Sequence, residues 1–124
     1  MDYSSAVVRR FGALTRAREL PDGTPGLVSG EAEDRTLHVW VRFQLQLIDG
    51  VVRAARYQAY GCPHALAAAD LVAESLEGQA VAVARTVNVR AVCDPLEVPV
   101  EKLGKLLRIE DALAECWRRL DTRT

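Results

Sequence analysis

The sequence predicts an α+β fold in which helices pack on a small antiparallel sheet, as one domain over residues 1–124. A segment of alternating apolar residues, an Asp-Gly pair and a second strand-like segment predict a β-hairpin at about residues 37–60, and a third strand is left open. Segments before and after the hairpin repeat apolar residues at spacings of three and four, which is typical of helices. The chain is long enough to bury a core without disulfides or metals.

The first element is a helix predicted from Asp2 to about Arg18, with Asp2 or Ser4 as its cap. Its apolar residues recur at helical spacing: Val7, Val8, Phe11 and Leu14. Turn residues at 21–26 end it. The stretch from Gly26 to Asp34 is predicted to be a partly acidic loop.

The hairpin follows. Its first strand alternates strictly between apolar and other residues, and the apolar set is Val39, Val41, Phe43, Leu45 and Leu47. A period of two is typical of a half-buried strand. Asp49-Gly50 favours a tight turn, and a second strand is predicted from about Val51 to Tyr60.

Helices account for the rest of the chain. Pro63 fits the first turn of an alanine-rich helix that Gly78 ends. The segment from Gln79 to Asp94 is predicted to hold a short helix and a connector, and Pro99 to open the last helix. One face of that last helix carries Leu106, Ile109, Leu113, Cys116 and Leu120.

Composition excludes several classes of function. The net charge of −1 gives no signal for nucleic acid or an anionic membrane surface. The N-terminus lacks the pattern of a signal peptide, and no apolar run reaches membrane-spanning length. Three cysteines without CxxC spacing argue against a disulfide framework, so a reducing cytoplasm is the expected location.

Cys62 is the principal candidate functional residue. It stands between Gly61 and Pro63, where a strand is predicted to run into a helix. The partial positive charge of a helix N-terminus stabilises a thiolate, which attacks sulfur and binds soft metals. His64 could be a second ligand or a neighbouring cation that keeps the thiol deprotonated, although a histidine there is more often a surface residue.

The chain resembles the IscU/NifU-type (SufU-like) iron–sulfur cluster scaffold family. The features that carry the resemblance are the Tyr3-Ser4 helix with Val8 and Phe11, Asp49-Gly50 followed by Ala55-Arg56-Tyr57, Tyr60-Gly61-Cys62, the alanine-rich helix to Gly78, Pro99-Val100, and Glu110-Asp111-Ala112-Leu113. The resemblance spans nearly the whole chain. It implies iron–sulfur cluster assembly, with a [2Fe–2S] cluster or iron, or alternatively zinc, as cargo. It also implies a cysteine desulfurase and cluster-acceptor proteins as partners.

This chain departs from the family's ligand pattern. The family holds its cluster on three cysteines and an aspartate, sometimes with a histidine, and only Cys62 matches one of those cysteines. Asp34 is the nearest candidate for the aspartate, although a solvated loop carboxylate is the alternative. The third cysteine's position falls at Gly104 or Lys105, and Lys105 could pair electrostatically with a Cys62 thiolate.

The remaining candidates have structural interpretations. Cys116 is predicted to be a core residue, and His38 a surface residue. Cys93 could approach Cys62 only if the connector folds back.

Two functional hypotheses follow. The first is a divergent scaffold that is not an enzyme, in which Cys62 accepts sulfur or ligates iron with tentative help from Asp34 and His64. One cysteine is too few for a cluster with four ligands, so this hypothesis calls for a dimer or a transient cluster. The alternative is a degenerate homologue that acts as an interaction or regulatory module without binding a cluster. A thiol-dependent enzyme using Cys62 and His64 ranks below both.

Overall fold

The alternating segment predicted to be a strand forms the centre of a three-stranded antiparallel sheet in the computed structural model, which describes residues 3–122. The strands are β1 (Leu27–Asp34), β2 (Val39–Ile48) and β3 (Val51–Tyr60), in that spatial order. The helices are α1 (Ser5–Phe11), α2 (Pro63–Leu76), α3 (Val81–Ala84), α4 (Val89–Val92) and α5 (Leu103–Asp121). Short 3₁₀ turns at Asp94–Leu96 and Val100–Lys102 precede α5. The predicted α+β class is therefore confirmed.

The hairpin has the predicted turn. Asp49 and Gly50 both have positive φ, 53° and 75°, which matches the twist of the flanking strands. Phe43 in β2 lies opposite Gly30 in β1 and Tyr57 in β3. This register places the apolar residues of β2 on one face of the sheet, and that face is buried.

Helices α2 and α5 cover the buried face, α2 against β3 and α5 against β1 and β2. Helix α5 approaches β1 very closely at Gly30, where an added side-chain carbon would lie 2.5 Å from the Ala112 carbonyl oxygen and 2.6 Å from the Cys116 nitrogen. Only hydrogen fits between the two backbones at this point. Within residues 3–122, no helix combines the length and apolar character needed to cross a membrane.

The prediction of a helix to Arg18 is wrong, because α1 ends at Phe11. Ser4 caps it, its Oγ accepting from the Val7 N–H at 3.2 Å, whereas Asp2 lies outside the described residues. Beyond α1, the backbone makes short local turns and also bonds to polar side chains that are distant in sequence. The Arg16 N–H donates to Asp70 at 3.0 Å, and the Leu20 N–H donates to the Gln44 side chain at 2.8 Å.

Asp70 joins this N-terminal segment to the core. Its side chain is fully buried. Besides the Arg16 N–H, the carboxylate accepts hydrogen bonds from the Arg10 guanidinium at 3.0 Å and the Tyr57 hydroxyl at 3.2 Å. A buried carboxylate needs such partners, because an unpaired charge in the core is very costly.

The prediction of a loop from Gly26 to Asp34 is also wrong, because residues 27–34 form β1. Val28, Gly30 and Ala32 point toward α5, and two of these residues are small because the helix lies so close. Small inward residues hide the apolar alternation that marks a strand.

The outer edge of β3 is occupied by other parts of the chain. Glu77 accepts from the Ala55 N–H at 3.0 Å, and the Arg16 carbonyl accepts from the Tyr57 N–H at 3.1 Å. Val52 exchanges backbone hydrogen bonds with residues 78 and 79. The last helix also starts later than predicted, at Leu103, because a 3₁₀ turn follows Pro99.

Candidate functional site

Cys62 occupies the N-cap position of α2, directly after β3. Gly61 makes this junction possible, since its φ of 155° strains other residues and a side-chain carbon would lie 3.2 Å from Val39 and 3.3 Å from Ala65. Pro63 starts the helix, as predicted. Cys62 is partly exposed, whereas Cys93 and Cys116 are buried.

The surroundings of Cys62 favour its thiolate. Partial burial opposes ionisation, but the backbone N–H of Ala65, the Lys105 ammonium and the backbone N–H of His64 together lower the Cys62 pKa from its ordinary value. Lys105 comes from the first turns of α5. The electrostatic pairing of Lys105 with a Cys62 thiolate stays a prediction, and it agrees with the lowering of the Cys62 pKa by Lys105.

His64 is buried, with 2% of its surface exposed, so the prediction of a surface residue is wrong. Its Nδ1 lies 4.0 Å from Cys62 Sγ, and its ring lies 4.7 Å from that of Tyr3. Burial, followed by the positive charges of Lys102 and Lys105, lowers the His64 pKa. The imidazole is therefore neutral at pH 7 and suits a ligand or proton acceptor better than a cation beside the thiolate.

Asp34 ends β1 instead of lying in a loop. Its Oδ1 accepts from the Leu37 N–H at 3.0 Å, and its Oδ2 lies 3.8 Å from Arg108. Asp34 is paired in register with Val39, whose side chain contacts Gly61. The Asp34 carboxylate therefore lies at the Cys62 end of the sheet, where the Leu37 N–H and Arg108 hold it.

The other residues that the sequence suggested do not belong to the group formed by Cys62, His64 and Asp34. Burial raises the pKa of the Cys93 thiol to about 12 and that of Cys116 likewise to about 12, so neither is a thiolate at neutral pH. Cys116 is fully buried and its thiol faces the Phe43 carbonyl at 3.7 Å, which confirms its predicted core role. His38 is exposed, as predicted, at a positive φ of 54°.

The sequence reasoning missed two contributors to the site. The positive charge of Lys102 contributes to the lowered pKa of His64, and the side chain of Leu37 lies against Gly104, which brings the β1–β2 turn next to the start of α5. A usable signal existed for Lys102. It and Lys105, the two lysines of the chain, are three residues apart and so share one side of a helical turn.

The donor set is too small for a complete cluster. Among residues 3–122, no group of three or more His, Cys, Asp or Glu side chains is placed to hold a metal ion. Cys62 and His64 supply two donors at 4.0 Å from each other, whereas a [2Fe–2S] cluster takes four. The cluster therefore does not fit the described residues of one chain alone.

Comparisons with known proteins agree with this fold. IscU of Escherichia coli K12, an iron–sulfur cluster assembly scaffold protein, is 30% identical over 114 residues, which cover 91% of this chain and 89% of that protein. IscU of Azotobacter vinelandii is 25% identical over 122 residues, covering 95% and 93%. The N-terminal crystal structure of a nitrogen-fixing NifU-like protein from Brucella abortus superimposes with a TM-score of 0.76 at 18% identity, covering 98% of this chain and 95% of that one.

The family described as "NifU-like N terminal domain" matches residues 8–123, nearly the full chain. This match confirms the resemblance inferred from the Tyr60-Gly61-Cys62 junction and the hairpin before it. The chain belongs to the NifU-like N-terminal domain family.

Proposed function

We propose that this protein acts in iron–sulfur cluster assembly as a scaffold-like protein whose reactive group is the Cys62 thiolate. Its relatives in Escherichia coli and Azotobacter vinelandii are named iron–sulfur cluster assembly scaffold proteins, which supports the general role. The observation that carries the proposal is the partly exposed Cys62 at the N-terminus of α2, with Lys105 and two backbone N–H groups lowering its pKa.

The chemistry that this arrangement favours is sulfur acceptance. The Cys62 thiolate attacks the outer sulfur of a persulfide on a donor protein. A new S–S bond forms at Cys62 while the donor's S–S bond breaks, and the donor leaves as a thiolate. The Cys62 persulfide keeps the donor's proton or loses it to solvent. Lys105 and the helix N-terminus stabilise negative charge at Cys62 before and after transfer.

Iron or a [2Fe–2S] cluster is the proposed cargo, and zinc is a competitor for the same donors. Cys62 and the neutral His64 are the two ligands that the site offers, with Asp34 at the same end of the sheet as a tentative third. Because these fall short of four, the remaining ligands come from a second copy, a small thiol or the acceptor protein. The cargo is therefore held transiently.

The proposed partners are a cysteine desulfurase as the persulfide donor and apoproteins as cluster acceptors. The protein is an assembly factor in this proposal, not an enzyme, because Cys62 is loaded and unloaded without turning over a substrate of its own. A reducing cytoplasm is the proposed location, since all three cysteines are free thiols.

The test compares the wild type with Cys62→Ser and Cys116→Ala. Each protein is incubated anaerobically with a cysteine desulfurase and cysteine, and intact mass is measured for the addition of sulfur. Iron and sulfide are then added, and bound iron and visible charge-transfer absorption are recorded.

The wild type and Cys116→Ala are expected to gain sulfur, and Cys62→Ser is expected to gain none. Sulfur loading that survives in folded Cys62→Ser contradicts the site assignment. Neither sulfur nor iron on the folded wild type contradicts the proposal and supports the alternative of an interaction module.

A further inference from the structure

The outer face of the sheet, opposite the helices, carries an aromatic pair next to Cys62. Trp40 in β2 and Tyr60 in β3 are paired in register, and their rings stack with centroids 5.8 Å apart and planes 21° apart. Tyr60 is 51% exposed and stands two residues before Cys62. Cross-strand aromatic pairs stabilise a sheet, and here Tyr60 also presents part of its ring to solvent.

Each ring of the pair is held by a carboxylate from β1. The Trp40 Nε1–H donates to Glu31 at 2.9 Å, and the Tyr60 hydroxyl donates to Glu33 at 2.7 Å. The bond to Glu33 raises the Tyr60 pKa, so the phenol keeps its proton and remains a donor. Each of these bonds uses one carboxylate oxygen, and the second oxygen of Glu33 lies 3.7 Å from the exposed guanidinium of Arg35.

Another part of the outer face is covered by the chain itself. The segment around Leu20 lies on Gln44, and Gln58 donates to the Arg18 carbonyl. Arg42, next to the pair, donates a hydrogen bond from its Nε to the Gln58 side-chain oxygen at 2.7 Å. The aromatic pair therefore lies beyond the part of the face that the segment around Leu20 covers.

The composition of this part of the face selects one kind of ligand group. A guanidinium stacks on aromatic faces and bonds carboxylate oxygens at the same time, as Arg85 does over Trp117 while it pairs with Asp121 in this same chain. Phosphate-bearing or acidic groups are disfavoured, because two carboxylates border the rings. The neighbouring Arg35 is 91% exposed and 3.7 Å from Glu33, so it competes weakly for the position.

We infer that Trp40 and Tyr60, together with Glu31 and Glu33, bind an arginine side chain on an exposed segment of a partner protein. The arginine stacks on an aromatic ring, pairs with the carboxylate of Glu31 and displaces the exposed Arg35 from the second oxygen of Glu33. Because Tyr60 leads directly into Gly61-Cys62, this contact positions the partner beside the thiol.

The experiment is an NMR titration of ¹⁵N-labelled protein with capped glycyl-arginyl-glycine amide. Trp40 and Trp117 each give an indole N–H signal, and the buried Trp117 serves as the internal control. The Trp40 signal is expected to shift in a saturable way in the millimolar range. The same tripeptide with citrulline keeps the shape but lacks the charge, and it is expected to leave the signal in place.

Glu31→Gln and Glu33→Gln keep an oxygen for the ring donors and remove the charge. Each is expected to weaken arginine binding by about threefold to fivefold, in the range of an exposed cation contact. Asp22→Asn, an exposed carboxylate of the 21–24 turn, is the matched control and is expected to bind like the wild type. Equal shifts with arginine and citrulline, or unchanged affinity in the double Glu31→Gln/Glu33→Gln protein, overturn the inference.

Discussion

Replacing Gly30 with alanine is expected to destabilise the fold, because β1 and α5 touch backbone to backbone at this residue. The new side-chain carbon would lie 2.5 Å from the Ala112 carbonyl oxygen, which is 0.9 Å less than the 3.4 Å at which ordinary contact begins. The Cys116 nitrogen at 2.6 Å is almost as close. Backbone atoms cannot rotate away as a side chain can, so α5 has to move off the sheet.

The size of the effect follows from that displacement. Overpacking of this kind costs about 1–3 kcal/mol of the free energy of unfolding. For a chain of this length, each kcal/mol lowers Tm by about 3–6 °C. The backbone effect alone would raise the free energy of unfolding, because a Gly-to-Ala change at an unstrained position stabilises a protein by about 0.4–1 kcal/mol. The sign of the change therefore separates the two effects.

The assay is urea and thermal unfolding followed by circular dichroism, with Gly23→Ala as the matched control. A side-chain carbon at Gly23 has no atom within 4 Å, so Gly23→Ala is expected to be neutral or slightly stabilising. A Gly30→Ala protein that unfolds at or above the wild-type temperature refutes the close approach of α5 to β1.

Three further predictions concern charged groups. Lys105→Met removes a cation that lowers the Cys62 pKa, so the pH midpoint for alkylation of Cys62 by iodoacetamide is expected to rise; an unchanged midpoint speaks against their contact. Burial opposes ionisation of Glu77, but its hydrogen bonds outweigh burial and lower its pKa below the ordinary 4.5. The ionised Glu77 therefore stabilises the fold fully above its pKa in the unfolded chain, and this stabilisation is lost as the pH falls through its lower pKa in the folded protein. In urea titrations, Glu77→Gln is expected to lose less stability than the wild type as the pH falls below about 5. An equal loss of stability at low pH in both proteins counts against this role. Asp70→Asn places an amide among donors and is expected to lower the free energy of unfolding by about 2–4 kcal/mol; a loss below about 0.5 kcal/mol means that its partners re-pair at no cost.

The hairpin was predictable because its signals are local. A strict period of two and an Asp-Gly turn act over neighbouring residues, and nothing distant in the chain opposes them. Cys62 was predictable for the same reason, since Gly61 and Pro63 fix the strand end and the helix start on either side of it.

The errors arose where a local signal was not used or where distant partners decide the structure. Helix α1 ends at Phe11 with Gly12 as its C-cap, a local signal that the prediction did not use. Further along, the buried Asp70 and Gln44 bind the backbone of residues 16 and 20, and no local pattern reveals those hydrogen bonds. His64 is buried because Tyr3 packs on its ring, a contact between residues 61 positions apart. The lack of two cluster ligands was evident from the sequence, because only Cys62 matches one of the three cysteines of the family.

The occupied edge of β3 has a consequence for how this protein behaves at high concentration. An exposed strand edge is a template on which another chain can add a strand, and it is a common origin of aggregation. Here the Glu77 carboxylate, the Arg16 carbonyl and residues 78–79 already bond to edge groups of residues 52, 55 and 57. Strand addition along residues 52–57 is therefore blocked, so this part of the edge cannot template polymerisation while Cys62 stays partly exposed.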